Sequence, residues 1–189
     1  MAATSSSFLR RSAAIALLLV ANAAHADPDR SPGMYAEGGV APHRHGSTRS
    51  LTLGALVPWA PTESWRTGPW AFYWDLFASD WSAPWQAGGR RHYTQLGAVA
   101  TFRYRFGEGR SPWFAEAGVG GTVMDRVYHS ATRHFSTAFQ FTEALGLGYS
   151  FGARREHELS LRLQHVSNAG IKEPNPGESF VRVRYAYRF

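Results

Sequence analysis

The chain has 189 residues, a formal net charge of +6 and no cysteine, which allows one small domain and excludes a fold held together by disulfides. Lys172 is its only lysine, so arginine supplies nearly all of the positive charge, and arginine suits bidentate contact with phosphate groups. A partner that carries phosphate is one explanation of this bias, and a charged, solvated surface is the alternative for any single arginine.

The first 26 residues have the features of a secretory signal peptide. Arg10 and Arg11 precede an apolar run, residues 13–21, and Ala24-His25-Ala26 follows as a small-residue cleavage site. The apolar run is too short to span a bilayer as a helix. We predict cleavage near Ala26 and a mature domain of residues 27–189. For an exported protein the expected anionic partner is a lipid phosphate, and no nucleic acid is expected.

The rest of the chain is built from segments in which apolar residues alternate with other residues at a period of two, the pattern of transmembrane β-barrel strands. In chain order the segments are GMYAEGGVAP (33–42), LTLGALVPW (51–59), WAFYWDLFA (70–78), QLGAVATFRYRF (95–106), WFAEAGVGG (113–121), LGLGYSF (145–151), LSLRLQHVS (159–167) and SFVRVRYAYRF (179–189).

The last segment shows which parity faces the lumen and which faces lipid. Arg182, Arg184 and Arg188 share one parity, and an apolar series that ends on Phe189 has the other. Because three arginines cannot face lipid, they are expected to face a polar lumen. An even number of strands closes a barrel with both ends on the same side. The sequence therefore predicts an all-β fold, an eight-stranded antiparallel transmembrane β-barrel of the bacterial outer membrane.

This topology predicts periplasmic turns at 61–68, 107–112 and 152–156, and outer loops around 80–91, 124–134 and 168–178. A terminal phenylalanine also resembles the C-terminal aromatic residue of bacterial outer-membrane barrels. A soluble β-sandwich is the alternative fold, since its strands alternate as well.

His165 and Ser167 continue the outward parity of Leu159, Leu161 and Leu163, and they lie at the end of the seventh strand next to an outer loop. Polar side chains that face hydrocarbon are costly and usually functional. Residues two apart on a strand are about 6.6 Å apart at Cα, so an imidazole can reach the hydroxyl and take its proton. The pair is a candidate nucleophile and base.

A third group normally orients the histidine of such a pair, and two carboxylates are candidates. Glu178 begins the last strand after the loop IKEPNPGES, whereas Glu143 shares the outward parity of the sixth strand and lies at nearly the same height as His165. Strict alternation from Phe189 turns Ser179, not Glu178, outward, and a bulge would be needed to turn Glu178 outward.

The stretch HVSNAGIKEPNPGES (165–179), a His-x-Ser-Asn-x-Gly run followed by Pro-Asn-x-Gly and an acid, resembles the signature of the PagL family of outer-membrane lipid A 3-O-deacylases. This motif lies in the last quarter of the chain. The signal peptide, the eight-strand size and FQFTEALGLG (139–148) agree with the family pattern.

The resemblance implies Ser167 as nucleophile, His165 as base and Glu178 as the acid behind the histidine. It implies hydrolysis of the ester of the 3-linked hydroxyacyl chain of lipid A. Two positions depart from the family: Glu178 comes one residue early after the histidine, and Glu143 stands where an aspartate is expected, so Glu143 is a possible supporting acid. Asn168, Gly170 and Asn175 are candidates for binding or positioning the oxyanion.

The predicted partners are lipid A or lipopolysaccharide and the outer-membrane bilayer, with a homodimer also allowed, and the active site is expected to face the outer leaflet. No cofactor or metal is expected, because His43 and His45 lack matching ligands. Two alternatives to a deacylase stay open: a non-catalytic structural or adhesive barrel, and another lipid-acting barrel enzyme, an acyltransferase or a phospholipase.

Overall fold

Eight antiparallel strands pair in sequence order, and the last pairs with the first to close a barrel. The computed structural model describes residues 27–44, 46–60 and 68–189; the predicted signal peptide, residues 1–26, lies outside them. The strands are β1 (Gly33–Ala41), β2 (Thr48–Pro58), β3 (Trp70–Pro84), β4 (Arg90–Arg105), β5 (Trp113–Met124), β6 (Phe139–Phe151), β7 (His157–Ser167) and β8 (Glu178–Arg188).

The predicted barrel is confirmed, but the outer loop expected around 80–91 is shorter than predicted. β3 continues to Pro84 and β4 begins at Arg90, which leaves residues 85–89 as the connection. The reason is that the strands continue past the apolar band: Trp81 and Tyr93 are still buried inside the barrel, while the outward positions beside them are polar. The next outer loop, 125–138, extends four residues beyond the predicted 124–134, because β6 begins at Phe139.

The outward face is apolar around the barrel. Its exposed members include Leu51, Leu53, Leu96, Val119, Leu145, Leu147, Leu159, Leu161, Leu163, Val181 and Val183. A continuous apolar band on the outside of a closed barrel is what a lipid environment requires. Within the described part of the chain, no helix has the length and apolarity to cross a membrane.

Aromatic rings gather at the end of the barrel that carries the N-terminal residues of β1 and the C-terminal residue Phe189. Ring pairs there are Trp59–Phe72, Trp70–Tyr104, Trp113–Tyr149, Phe151–His157 and Tyr187–Phe189. Girdles of this kind mark the interface between hydrocarbon and water. We call this set the lower girdle.

Arginines and carboxylates fill the lumen. Arg184 donates to Glu37 and Asp75 at 2.8 Å each, and Arg103 donates to Glu116 at 2.6 Å and to Glu158 at 2.7 Å. Buried charges need this degree of pairing, since each unpaired one would cost several kcal/mol, on the order of 3–5 kcal/mol. The predicted lumenal position of Arg182, Arg184 and Arg188 is confirmed, because all three are buried.

Two plugs close the lumen. At the lower end a short 3₁₀ helix (Pro28–Arg30) places the Asp29 carboxylate against Arg103 at 2.7 Å and Arg105 at 2.6 Å. At the opposite end a hydrophobic cluster includes Trp81, Tyr93 and Phe180. We call these the Asp29 plug and the aromatic plug. The plugs and the ion pairs leave the outer wall and the loops as the places for a site.

Candidate active site

The alternation of β7 carries His165 to the outer wall and Val166 into the aromatic plug. His165 is exposed, and Ser167, the last residue of the strand, is half-buried on the same face. The prediction that both side chains face outward is confirmed by this burial pattern. Their end of the barrel is opposite the lower girdle.

The site forms part of a transverse row of side chains. His165 is the register partner of Glu143 on β6 and of Ser179 on β8. Glu143 is in turn the partner of Val119 on β5. Side chains directly opposite on neighbouring strands have Cβ atoms about 5 Å apart, so Glu143 and Ser179 each lie within reach of His165, one on either side. We call Glu143, His165 and Ser179 the polar row.

Ser179 Oγ lies 2.9 Å from His165 Nδ1, a hydrogen bond across β7 and β8. Because Nδ1 is engaged there, Nε2 is the ring nitrogen left for Ser167. In the described residues no hydrogen bond joins Ser167 Oγ to His165. Catalytic hydrogen bonds are often long in a site without substrate and tighten in the complex.

Gly177 lies against the imidazole from the end of the loop 168–177. A Cβ atom at this position would come 2.6 Å from His165 Cε1 and 3.0 Å from Nε2, and the backbone φ is +61°. Both observations require glycine. The ring is therefore confined between Gly177 and the hydroxyl of Ser179.

Glu143 is exposed on the outer wall beside His165, at the height that the sequence predicts. Among the described residues it has no hydrogen bond or ion pair. An unpaired carboxylate at the edge of an apolar band is costly, and the charge of a protonated His165 would offset that cost.

Glu178 lies on the other side of the sheet from His165. It pairs in register with Val166 and its side chain is fully buried in the lumen, where Oε1 is 2.7 Å from His43 Nε2 and Oε2 accepts from the Tyr128 hydroxyl at 3.1 Å. No bulge interrupts the ladder at this point. In the described chain Glu178 and His165 share no hydrogen bond.

Tyr128 ties the loop 125–138 to this lumenal carboxylate. Its hydroxyl also lies 2.7 Å from Thr48 Oγ1. Burial and the adjacent Glu178 carboxylate raise the pKa of the Tyr128 hydroxyl, which keeps it protonated as a donor. The Glu178 carboxylate thus connects β8 to the segment between β1 and β2, through His43, and to the loop 125–138, through Tyr128.

The candidate oxyanion residues lie together in the loop 168–177, but the donor groups of Asn168 and Gly170 already have acceptors. Asn168 Nδ2 donates to Lys172 O at 2.7 Å and to Ser136 Oγ at 2.9 Å, and the Gly170 amide donates to Asn168 Oδ1 at 3.0 Å. Asn175 Oδ1 accepts from the Asn168 amide at 3.0 Å. In the described residues the Asn175 side-chain amide has no acceptor, so it is the available donor.

A groove in the outer wall runs past the polar row, with a volume of about 660 Å³. Its outward-facing lining comprises Phe102, Ala117, Val119, Glu143, Leu145, Leu163, His165, Ser179 and Val181. Ala117 of β5 has the smallest outward side chain of this lining, and the larger side chains of Phe102 and Leu145 flank it in register. An apolar groove with a few polar groups at one place is the usual form of a ligand site.

The alternation in the sequence predicts that Ser179 faces outward, but it predicts no role for this residue. It does not identify Gly177, His43 and Tyr128 as neighbours of the site. The signal for Ser179 was its parity, which places it beside His165. His45 lies outside the described residues, and within them no cluster of three or more histidine, cysteine or acidic residues is arranged to hold a metal ion.

A family model described as "Lipid A 3-O-deacylase (PagL)" matches residues 49–188. A protein of Bordetella bronchiseptica named lipid A deacylase PagL is 39% identical over 117 residues, which span 61% of this chain and 61% of that protein. A protein of the same name from Pseudomonas aeruginosa is 26% identical over 168 residues, 87% of each chain.

Among solved structures, the barrel is similar to the crystal structure of the outer membrane enzyme PagL. The TM-score is 0.59 with 23% sequence identity, and the match covers 82% of this chain and 99% of the other. This likeness concerns the fold, and it agrees with the strand count and closure described above.

Proposed function

Because the chain belongs to the lipid A 3-O-deacylase (PagL) family, a family of ester hydrolases in the outer membrane, we propose that it removes the 3-O-linked hydroxyacyl chain of lipid A. The observation that carries the proposal is the polar row: His165 lies between Glu143 and Ser179 on the outer wall, two residues from Ser167. A base beside a hydroxyl in an apolar groove is suited to acyl transfer from a lipid.

The height of the site supports a position at the membrane boundary. On β7, His157 belongs to the lower girdle and His165 lies eight residues further along. Eight residues rise about 26 Å along a strand, or about 20 Å across a membrane at a tilt of about 40°. An apolar band is about 25 Å tall, so His165 is near the other interface. We assign that interface to the outer leaflet, with the active site facing it.

The chemistry follows from the two side chains. Ser167 Oγ attacks the ester carbonyl carbon while His165 Nε2 takes the hydroxyl proton. The C–O bond to the sugar breaks, and His165 returns the proton to the departing sugar oxygen. Water then attacks the acyl-enzyme with His165 again as base, which releases the fatty acid and restores Ser167. The Asn175 amide is our candidate donor to the oxyanion.

Two carboxylates compete to stabilise the imidazolium. Glu143 faces the same side as His165 in direct register, which supports it. Glu178 as the triad acid stays a prediction, and it requires the first residue of β8 to turn outward, away from His43 and Tyr128.

The groove supplies a place for an acyl chain. Leu145, Leu163 and Val181 lie one row below the polar row and face lipid. A chain that lies along them brings its ester to the height of His165 without leaving the bilayer.

The experiment is to reconstitute the purified barrel with lipid A and to weigh the lipid by mass spectrometry. Wild type is expected to remove one hydroxyacyl group, and Ser167→Ala and His165→Ala to lower the rate by about 10³-fold or more. His92→Ala, an outward histidine of β4 bound to Asp80, is the matched control and should keep full activity. Glu143→Gln and Glu178→Gln, measured side by side, identify the acid by the larger loss.

Unchanged lipid A in the presence of folded wild-type barrel would contradict the proposal and favour a structural or adhesive role. Release of fatty acid from phospholipid instead would favour a phospholipase. A homodimer stays a prediction, which cross-linking in the bilayer tests.

A further inference from the structure

We propose that Ser179 is a positioning residue, which accepts a hydrogen bond from His165 Nδ1 and so presents Nε2 to Ser167. The inference rests on the proposed function and goes beyond it, since it divides the usual task of a triad acid between two residues. Ser179 fixes the orientation and the tautomer of the imidazole. The Glu143 carboxylate on β6 supplies the charge that compensates the imidazolium.

The first support is the geometry. Ser179 Oγ lies 2.9 Å from Nδ1, and the two residues are direct register partners on β7 and β8. The backbone ladder therefore holds donor and acceptor opposite each other. Glu178, the residue beside Ser179, points through the sheet to the lumen.

The second support is the confinement of the ring. The ring packs so close to the Gly177 backbone that a Cβ at this residue would lie 2.6 Å from Cε1 and 3.0 Å from Nε2. With Gly177 on one flank and the Ser179 hydroxyl on Nδ1, the ring has little freedom to turn Nε2 away from the side of Ser167. Orientation of this kind lowers the entropic part of a barrier.

Each element packed against His165 presents a different charge to the imidazole. β6 presents Glu143, β8 presents the neutral Ser179 with Glu178 turned inward, and the loop 168–177 carries the exposed Lys172 and Glu173. A serine hydroxyl orients a ring but carries no charge. For this reason the acidic limb of the pH profile is expected to respond to Glu143 and not to Ser179→Ala.

The test combines kinetics with a spectroscopic measurement on folded, reconstituted protein. Ser179→Ala should lower kcat by about 10- to 100-fold with KM nearly unchanged, because part of the acid–base contribution depends on orientation. Ser179→Thr keeps the hydroxyl and should restore most of the rate. Ser179→Asp places a charge on Nδ1 and should move the acidic limb of kcat/KM upward by about one pH unit.

The ¹⁵N spectrum of His165 reads the tautomer directly. Wild type should show the Nδ1-protonated form, and Ser179→Ala should lose it. An active wild type whose rate and tautomer are both unchanged in Ser179→Ala would overturn the inference. If wild type releases no acyl chain, the proposed function fails, and the ¹⁵N spectrum alone then decides whether Ser179 positions the ring.

Discussion

Gly177 leaves room for the candidate base His165 because it has no Cβ, and its backbone has the left-handed φ of +61° that favours glycine. The loop 168–177 therefore ends against the imidazole. A Cβ atom at this residue would lie 2.6 Å from His165 Cε1, closer than van der Waals contact, so the ring or the backbone has to shift.

We expect Gly177→Ala to lower deacylation at least about tenfold, since a shift of the ring by a few tenths of an ångström already spoils its alignment. Gly89→Ala is the matched control: φ is +74° and no atom lies within 4 Å of the new Cβ. Rates of the two variants on lipid A, with barrel folding checked by circular dichroism, make the comparison. Equal activity of the two variants would show that the ring is not confined by Gly177.

At this scale the sequence predicts the outward parity of His165 and Ser167 and the height of Glu143, because all three follow from alternation. It does not predict the partner of Nδ1. The chemistry of a triad favours an acid, and Glu178 is one residue from the position that faces His165. A shift of one residue moves a side chain to the other face, and here the ladder keeps Ser179 outward.

Among the elements, β5 has the smallest outward side chains next to the site. Ala117 lies in the floor of the groove, between Phe102 of β4 and Leu145 of β6 in register. The groove exists because these flanking residues are larger than the alanine between them.

Filling the floor should impair the binding of the acyl chain. We expect Ala117→Trp to lower kcat/KM for lipid A about tenfold or more, with the loss increasing with chain length. Leu53→Trp places the same side chain on the outer face of β2, away from the groove and facing lipid, and it should leave the rate unchanged. Mass spectrometry on lipid A species of different chain length gives both values. A rate that is insensitive to Ala117→Trp would place the acyl chain elsewhere.

Strand ends are predicted less well than strands, and β3 and β4 show why. Asp80, Ser82 and His92 face outward beyond the apolar band, and Arg90 donates to Ser82 Oγ at 2.7 Å. Outside the bilayer a strand no longer needs apolar outward residues. A change in composition therefore marks the edge of the membrane and not the end of the strand.

The whole molecule depends on charge pairing inside the wall. The Asp29 plug joins the segment before β1 to Arg103 and Arg105 of β4. Burial alone would raise the pKa of Asp29, but hydrogen bonds and charges from the two arginines outweigh it and hold the pKa well below its usual range.

A carboxyl whose pKa is lower in the folded state stabilises that state above the unfolded pKa of about 3.9, and the contribution disappears as pH falls through the folded pKa. By this linkage, Asp29→Asn should lower the free energy of unfolding by about 2–3 kcal/mol at pH 7. The difference from wild type should shrink below about pH 4.

Urea unfolding in detergent, followed by tryptophan fluorescence at several pH values, measures this difference. Glu108→Gln removes an exposed ion pair with Arg110 at the same end of the barrel and should change little. A difference between Asp29→Asn and wild type that stays constant from pH 7 to pH 3 would argue against the ion pairs as its source.

A site on the outer wall also determines how its substrate arrives. If the polar row acts on a lipid that never leaves the bilayer, enzyme and substrate meet by lateral diffusion in two dimensions. The collision frequency then depends on the surface concentration of that lipid in the leaflet. The rate should then follow the mole fraction of lipid A in the membrane and fall on dilution with inert lipid. It should be independent of the total volume of buffer.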